Sequence, residues 1–149
     1  MLAYAVALSI HVLGASIWVG GHLALLAAVL PRALRERDPA RLLDFERGYE
    51  TLGLAALAAQ LVTGLWLAYH LLGSPAHWFA DHPLARVIQL KLALLLGTLL
   101  VALHARLRVL PRLNAASLPL MAWHVRAVSL LAVLLALAGA SIRYGGWFH

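Results

Sequence analysis

The chain has 149 residues, 63% of them hydrophobic and 12% charged, with a mean hydropathy of +0.85. That charge fraction is about half of what a soluble domain carries, which excludes a water-soluble globular fold. Net charge is +6, but the basic residues cluster in short loops between apolar runs, which fits membrane topology and not nucleic-acid binding. Cysteine is absent, which removes disulfides, thiolate metal sites, iron–sulfur clusters and cysteine catalysis.

Four apolar runs are predicted as membrane-spanning helices, over about residues 2–30, 51–72, 84–107 and 120–144. Each exceeds the roughly 20 residues that cross a ~30 Å hydrocarbon layer. The first reads as a retained span, because Met1–Ser9 holds no basic residue and the run outlasts a signal peptide. Arg32, Arg35, Arg37, Arg41 and Arg47 follow the first span, and Arg106, Arg108 and Arg112 follow the third. The loop from Gly73 to Pro83 carries His77, Trp78, Asp81 and His82 but no Arg or Lys. The positive-inside bias therefore places the first and third loops in the cytoplasm, and both termini and the second loop outside. Trp78, Trp147 and Phe148 suit the outer interface. Short loops favour antiparallel neighbours, so the expectation is an all-α integral membrane protein: one domain, an antiparallel four-helix bundle.

Ionisable groups within spans are costly and mark function by default. Five histidines fall there: His11, His22, His70, His104 and His124. His11 and His22 lie about 20° apart in azimuth and about 16 Å apart along one helix, with Gly14, Ala15 and Trp18 between them and Gly21 adjoining His22. A two-haem membrane cytochrome has this layout, with imidazoles on one face and small residues such as Gly14 and Gly21 that admit a porphyrin. By depth, His11 pairs with His70 in the outer leaflet. His22 pairs with His104, or with His124 as the spare. Bis-imidazole ligation of this kind holds haem b, so the residues read as a dihaem cytochrome. Such a protein passes electrons between a quinol or outer redox partner and an acceptor, a membrane oxidoreductase activity. Lys91 and Arg143 could pair with haem propionates at the outer edge, and Arg126, Arg106 and Arg108 at the inner edge.

The same imidazoles bind copper, which is the alternative cofactor, although the only methionines are Met1 and Met121. His77, His82 and His149 could form an exposed copper site, or be solvated loop residues. Gln60 and Thr63 suit interhelical hydrogen bonds or a quinone contact. No motif of hydrolytic or phosphate chemistry is present.

The segment His11–Gly21, the stretch Leu61–Trp66, Gln89–Ala93 and the run Arg106-Leu-Arg-Val-Leu-Pro-Arg-Leu113 together resemble the copper-resistance protein D (CopD) family. That resemblance spans nearly the whole chain and implies an inner-membrane protein linked to copper uptake or resistance. His11, Trp18 and Lys91 give a looser likeness to the HemJ type of protoporphyrinogen oxidase, which would imply oxidation of a porphyrinogen. The additional span histidines His22, His70 and His124 depart from both patterns and favour a haem-carrying member.

Overall fold

A computed structural model describes residues 1–144; Trp147, Phe148 and His149 lie outside the described residues. Four helices are long and apolar enough to cross a membrane: α1 (Leu2–Glu36), α2 (Ala40–Leu72), α3 (Pro83–Arg112) and α4 (Leu118–Tyr144). No strand occurs among the described residues. The chain is a multi-pass membrane protein of all-α architecture, and lipid covers the apolar side chains on its outer faces.

Each helix stops for a local reason. α1 ends at Arg37, whose φ of 52° is left-handed, and Asp38 Oδ1 accepts the Ala40 N–H at 3.0 Å to start α2. Gly73, with φ 77°, closes α2. Pro75–Phe79 then form a 3₁₀ turn, and His82 caps α3 by accepting the Ala85 N–H on Nδ1 at 3.3 Å. Between α3 and α4, Asn114 and Ser117 exchange turn hydrogen bonds.

α1 and α3 each contain a five-residue π turn, Leu25–Val29 and Ala105–Val109. Both turns run into the same tetrapeptide, Val-Leu-Pro-Arg, at 29–32 and 109–112. Proline has no N–H and its ring crowds the carbonyl four residues earlier, so a widened turn accommodates it. The Leu30 N–H bonds to Leu25 O, and the Leu110 N–H to Ala105 O, one residue further back than in an α-helix.

The helices also run past the apolar stretches at their arginine-rich end. α2 begins at Ala40 and not near Thr51, and α1 continues to Glu36. There Leu30, Ala33, Leu42, Leu118, Ala122 and Val125 form a buried cluster joining α1, α2 and α4. Across the bundle, α1 packs on α2 and on α4, and α4 packs on α3. α2 and α3 are tied at the arginine-rich end by Arg106, which bonds Glu46 at 3.2 Å and also Glu50.

The α1–α2 seam has a seven-residue step. Tyr4 meets His70, with ring centroids 5.3 Å apart. Seven residues on along α1, His11 meets Thr63, seven residues back along α2. Gly14 faces Gln60, where a Cβ would come within 2.9 Å of Gln60 Cγ. One heptad further, Gly21 faces the Tyr49 ring, which also lies over Gly53. This is the period of an antiparallel coiled coil. On the α3–α4 seam the same step separates Gly97, against Leu131, from His104, against His124.

Candidate functional site

His11 is half-buried between α1 and α2. The Thr63 hydroxyl donates to Ala59 O at 2.5 Å, so its single proton is used. Thr63 Oγ1 must therefore accept from His11 Nδ1–H, 3.0 Å away. In the neutral ring this leaves the His11 Nε2 lone pair free. Gly64 makes the close approach feasible, because a Cβ there would stand 3.0 Å from His11 Cε1. Lys91 of α3 reaches across to α4, its Nζ 3.4 Å from where a Gly139 Cβ would be. Gly139 stands about 15 Å along α4 from Ser129, which is level with His22, and so lies at the depth of His11. His11, Gln60, Thr63, Lys91 and Gly139 thus bring all four helices into one polar layer.

His22 donates from Nδ1 to Trp18 O at 2.8 Å, again leaving Nε2 free. Its ring lies 4.5 Å from that of Trp18 and edge-on to Tyr49 at 6.4 Å. Tyr49 donates to Ile17 O at 2.7 Å, and Ser129 of α4 donates to His22 O at 3.2 Å. His124, only 3% exposed, donates from Nδ1 to Leu120 O at 2.8 Å. Its Nε2 must then accept from His104 Nδ1–H at 2.7 Å. The two rings stack at 4.9 Å, and the lone pair released to the surroundings is that of His104 Nε2.

These pairings differ from those expected by depth. The structure does not bring His11 and His70 together. His11 is level with Thr63, while His70, seven residues further along α2, lies about 10 Å nearer the helix end. His70 is exposed, stacked on Trp66 at 5.1 Å and flanked by Tyr4. His104 and His124 pair with each other and not with His22, whose ring neighbours are aromatic. His22 O lies against Ser129, five residues or about 7.5 Å along α4 from His124. A bis-imidazole haem needs two rings on opposite sides of one porphyrin, and neither expected pair, His11 with His70 or His22 with His104, is brought together. The room at Gly14 and Gly21 is taken by Gln60 and Tyr49. Arg126 and Arg143 are exposed, and Arg106 is engaged by Glu46 and Glu50. The residues present do not fit haem b.

His77 donates to Leu72 O at 2.9 Å and His82 is used as a cap, while Asp81 pairs with Arg86 at 2.5 Å. Among the described residues no group of three or more His, Cys, Asp or Glu side chains gathers for a metal. Tyr49 and Ser129 carry weight that the sequence reading missed. The signal for Tyr49 was available, since Tyr49 and Gly53 are four apart on α2 and Gly21 offers a slot opposite.

No curated protein and no solved structure matches the chain. A family model, Copper resistance protein D, matches residues 43–142. That interval takes in Gln60, Thr63, Lys91, His104, His124 and Gly139 and stops short of α1. It covers two-thirds of the chain, from the first turn of α2 to the last turn of α4, and so the chain belongs to the copper resistance protein D family.

Proposed function

We propose that this protein carries copper across a bacterial-type inner membrane, with both termini outside and the arginine-rich end in the cytoplasm. One observation carries the reading. His11, His22 and His104 each commit Nδ1–H to an acceptor, an oxygen for the first two and the His124 nitrogen for the third, and each presents a free Nε2. Metal-binding imidazoles are characteristically held this way, because the second hydrogen bond fixes tautomer and ring orientation and raises ligand basicity. The three ligands stand at successive depths. His11 and His22 are about 16 Å apart along α1, and the His104–His124 pair lies about 7.5 Å beyond the His22 level. Copper would enter at the His11 layer, pass His22, and leave at His104. The family membership supports copper as cargo, and the loop arginines support the orientation.

The test is copper binding and uptake by the purified chain in proteoliposomes, with a periplasm-only reporter on the C-terminus to check orientation. His11→Ala, His22→Ala and His104→Ala should each lower bound copper and slow uptake while the protein still inserts. Unchanged uptake in all three variants overturns the reading, and so does a Soret band from stoichiometric haem.

A further inference from the structure

We infer that this path, if it carries copper as proposed above, selects the monovalent ion over the divalent one, and that Lys91 and the Trp18 indole beside His22 make the selection. Three features converge on it. The first is ligand number. Divalent copper prefers a tetragonal set of nitrogen and oxygen donors, and no such set gathers among the described residues. Monovalent copper, a filled-shell soft ion, accepts two donors.

The second is the nature of the available soft donors. The chain has no cysteine and two methionines, so sulfur cannot line the route. On the route an indole takes that place: Trp18 lies 4.5 Å from His22, whose Nε2 is free. Trp66 stacks on the exposed His70, off the route, and Trp123 is edge-on to His124, both of whose nitrogens are engaged. Trp18 and Trp66 each precede their histidine by four residues, so the same helical spacing sets both pairs. The indole face is the strongest aromatic partner for a cation, and its π electrons are polarisable donors suited to a soft ion.

The third is charge. Of the six acids, Glu36, Asp38, Asp44, Glu46 and Glu50 lie at the arginine-rich end, and Asp81 lies in the opposite loop. No carboxylate reaches the polar layer. The cationic side chain in that layer is Lys91, which has no ion pair or hydrogen bond among the described residues and stands level with His11 against Gly139. Coulomb repulsion scales with the charge of the arriving ion, so Lys91 opposes a divalent ion twice as strongly as a monovalent one.

The experiment compares binding to the full chain in detergent and uptake in proteoliposomes for three ions. These are Cu(I) held reduced by ascorbate, Ag(I) as a redox-inert monovalent probe, and Cu(II). Cu(I) and Ag(I) should be preferred by at least about tenfold, with Ag(I) quenching tryptophan emission. Lys91→Glu should narrow the preference by raising Cu(II) binding, and Lys91→Met should do so less. Trp18→Phe, which keeps an aromatic ring in place, should weaken Ag(I) and leave Cu(II) unmoved; Trp66→Phe, off the route, is the control and should change neither. Equal binding of Cu(II) and Ag(I), or a ratio untouched by the Lys91 and Trp18 substitutions, overturns the selectivity and leaves copper transport standing. Failure of every ion to bind overturns both.

Discussion

At the scale of single residues, Thr63 matters most for what it does to His11. It touches no cargo on the proposed route, yet its hydroxyl, tied to Ala59 O, dictates which nitrogen of His11 carries the proton. Thr63→Val keeps the shape and removes the acceptor. The His11 ring then loses its fixed tautomer, and copper affinity should fall about tenfold, within the range for outer-shell partners of metal-bound histidine. Thr63→Ser should restore most of it. Isothermal titration against Cu(I), with thermal melting as a control for folding, separates lost binding from lost structure. A Thr63→Val protein that binds like the parent shows that the hydroxyl has no such role. The sequence marks Thr63 as a residue suited to an interhelical hydrogen bond, but it does not say to what; only the reversed heptad seam shows that it faces His11.

At the scale of helices, the α1–α2 seam is set by small residues opposite large ones. Gly21 and Gly53 make a slot for the Tyr49 ring, and a methyl group at Gly21 would overlap that ring. Gly21→Ala should therefore destabilise the protein by about 1–3 kcal/mol, the usual cost of overpacking. Gly20→Ala is the control, because nothing lies within 4 Å of a Cβ there, and it should be neutral or slightly stabilising through helix propensity. Adding Tyr49→Ala should erase most of the Gly21→Ala effect, since the two are in direct contact. Unfolding in a graded detergent series reads the parent, Gly20→Ala, the single variants Gly21→Ala and Tyr49→Ala, and their combination, and a purely additive double variant would contradict the slot. The same seam explains why the expected His11–His70 pair does not form. Apolar runs alone place His11 and His70 at one depth, but α2 extends to Ala40 and α1 to Glu36, so the register is displaced by one heptad. Two turns of helix suffice to exchange His70 for Thr63 as the partner of His11.

At the scale of the whole molecule, the four spans, their helical nature and the family were legible, because composition and run length alone are decisive in a membrane. The extensions beyond the apolar runs were not. They pack around a buried cluster of Leu30, Leu42 and Leu118, whose hydrophobic pattern is too short to stand out beside the spans. Which helices neighbour one another was equally hidden. α1 and α4 form the central contact, with α2 and α3 on either side, so the route proposed for copper runs along α1 and crosses to the α3–α4 seam at the His22–Ser129 contact.

The two π turns bear on how the chain tolerates changes in its length. A π turn holds one residue more than the same stretch of α-helix requires. Leu25–Val29 and Ala105–Val109 can therefore each give up a residue by reverting to ordinary helix without turning what lies on either side, at the cost of the proline clash that the widened turn relieves. Deleting Ala27 should leave His11 and His22 upstream, and Leu30 and Ala33 downstream, facing their present neighbours, so the protein should insert and lose no more than the ~3 kcal/mol of that clash. Deleting Ala15 from the regular part of α1 has no such reserve. It swings His11 by about 100° relative to Trp18, Gly21 and His22, so one end of the seam must leave α2, and a large loss of thermal stability should follow. Equal damage from the two deletions would mean that the π turns are fixed parts of the architecture, not spare length.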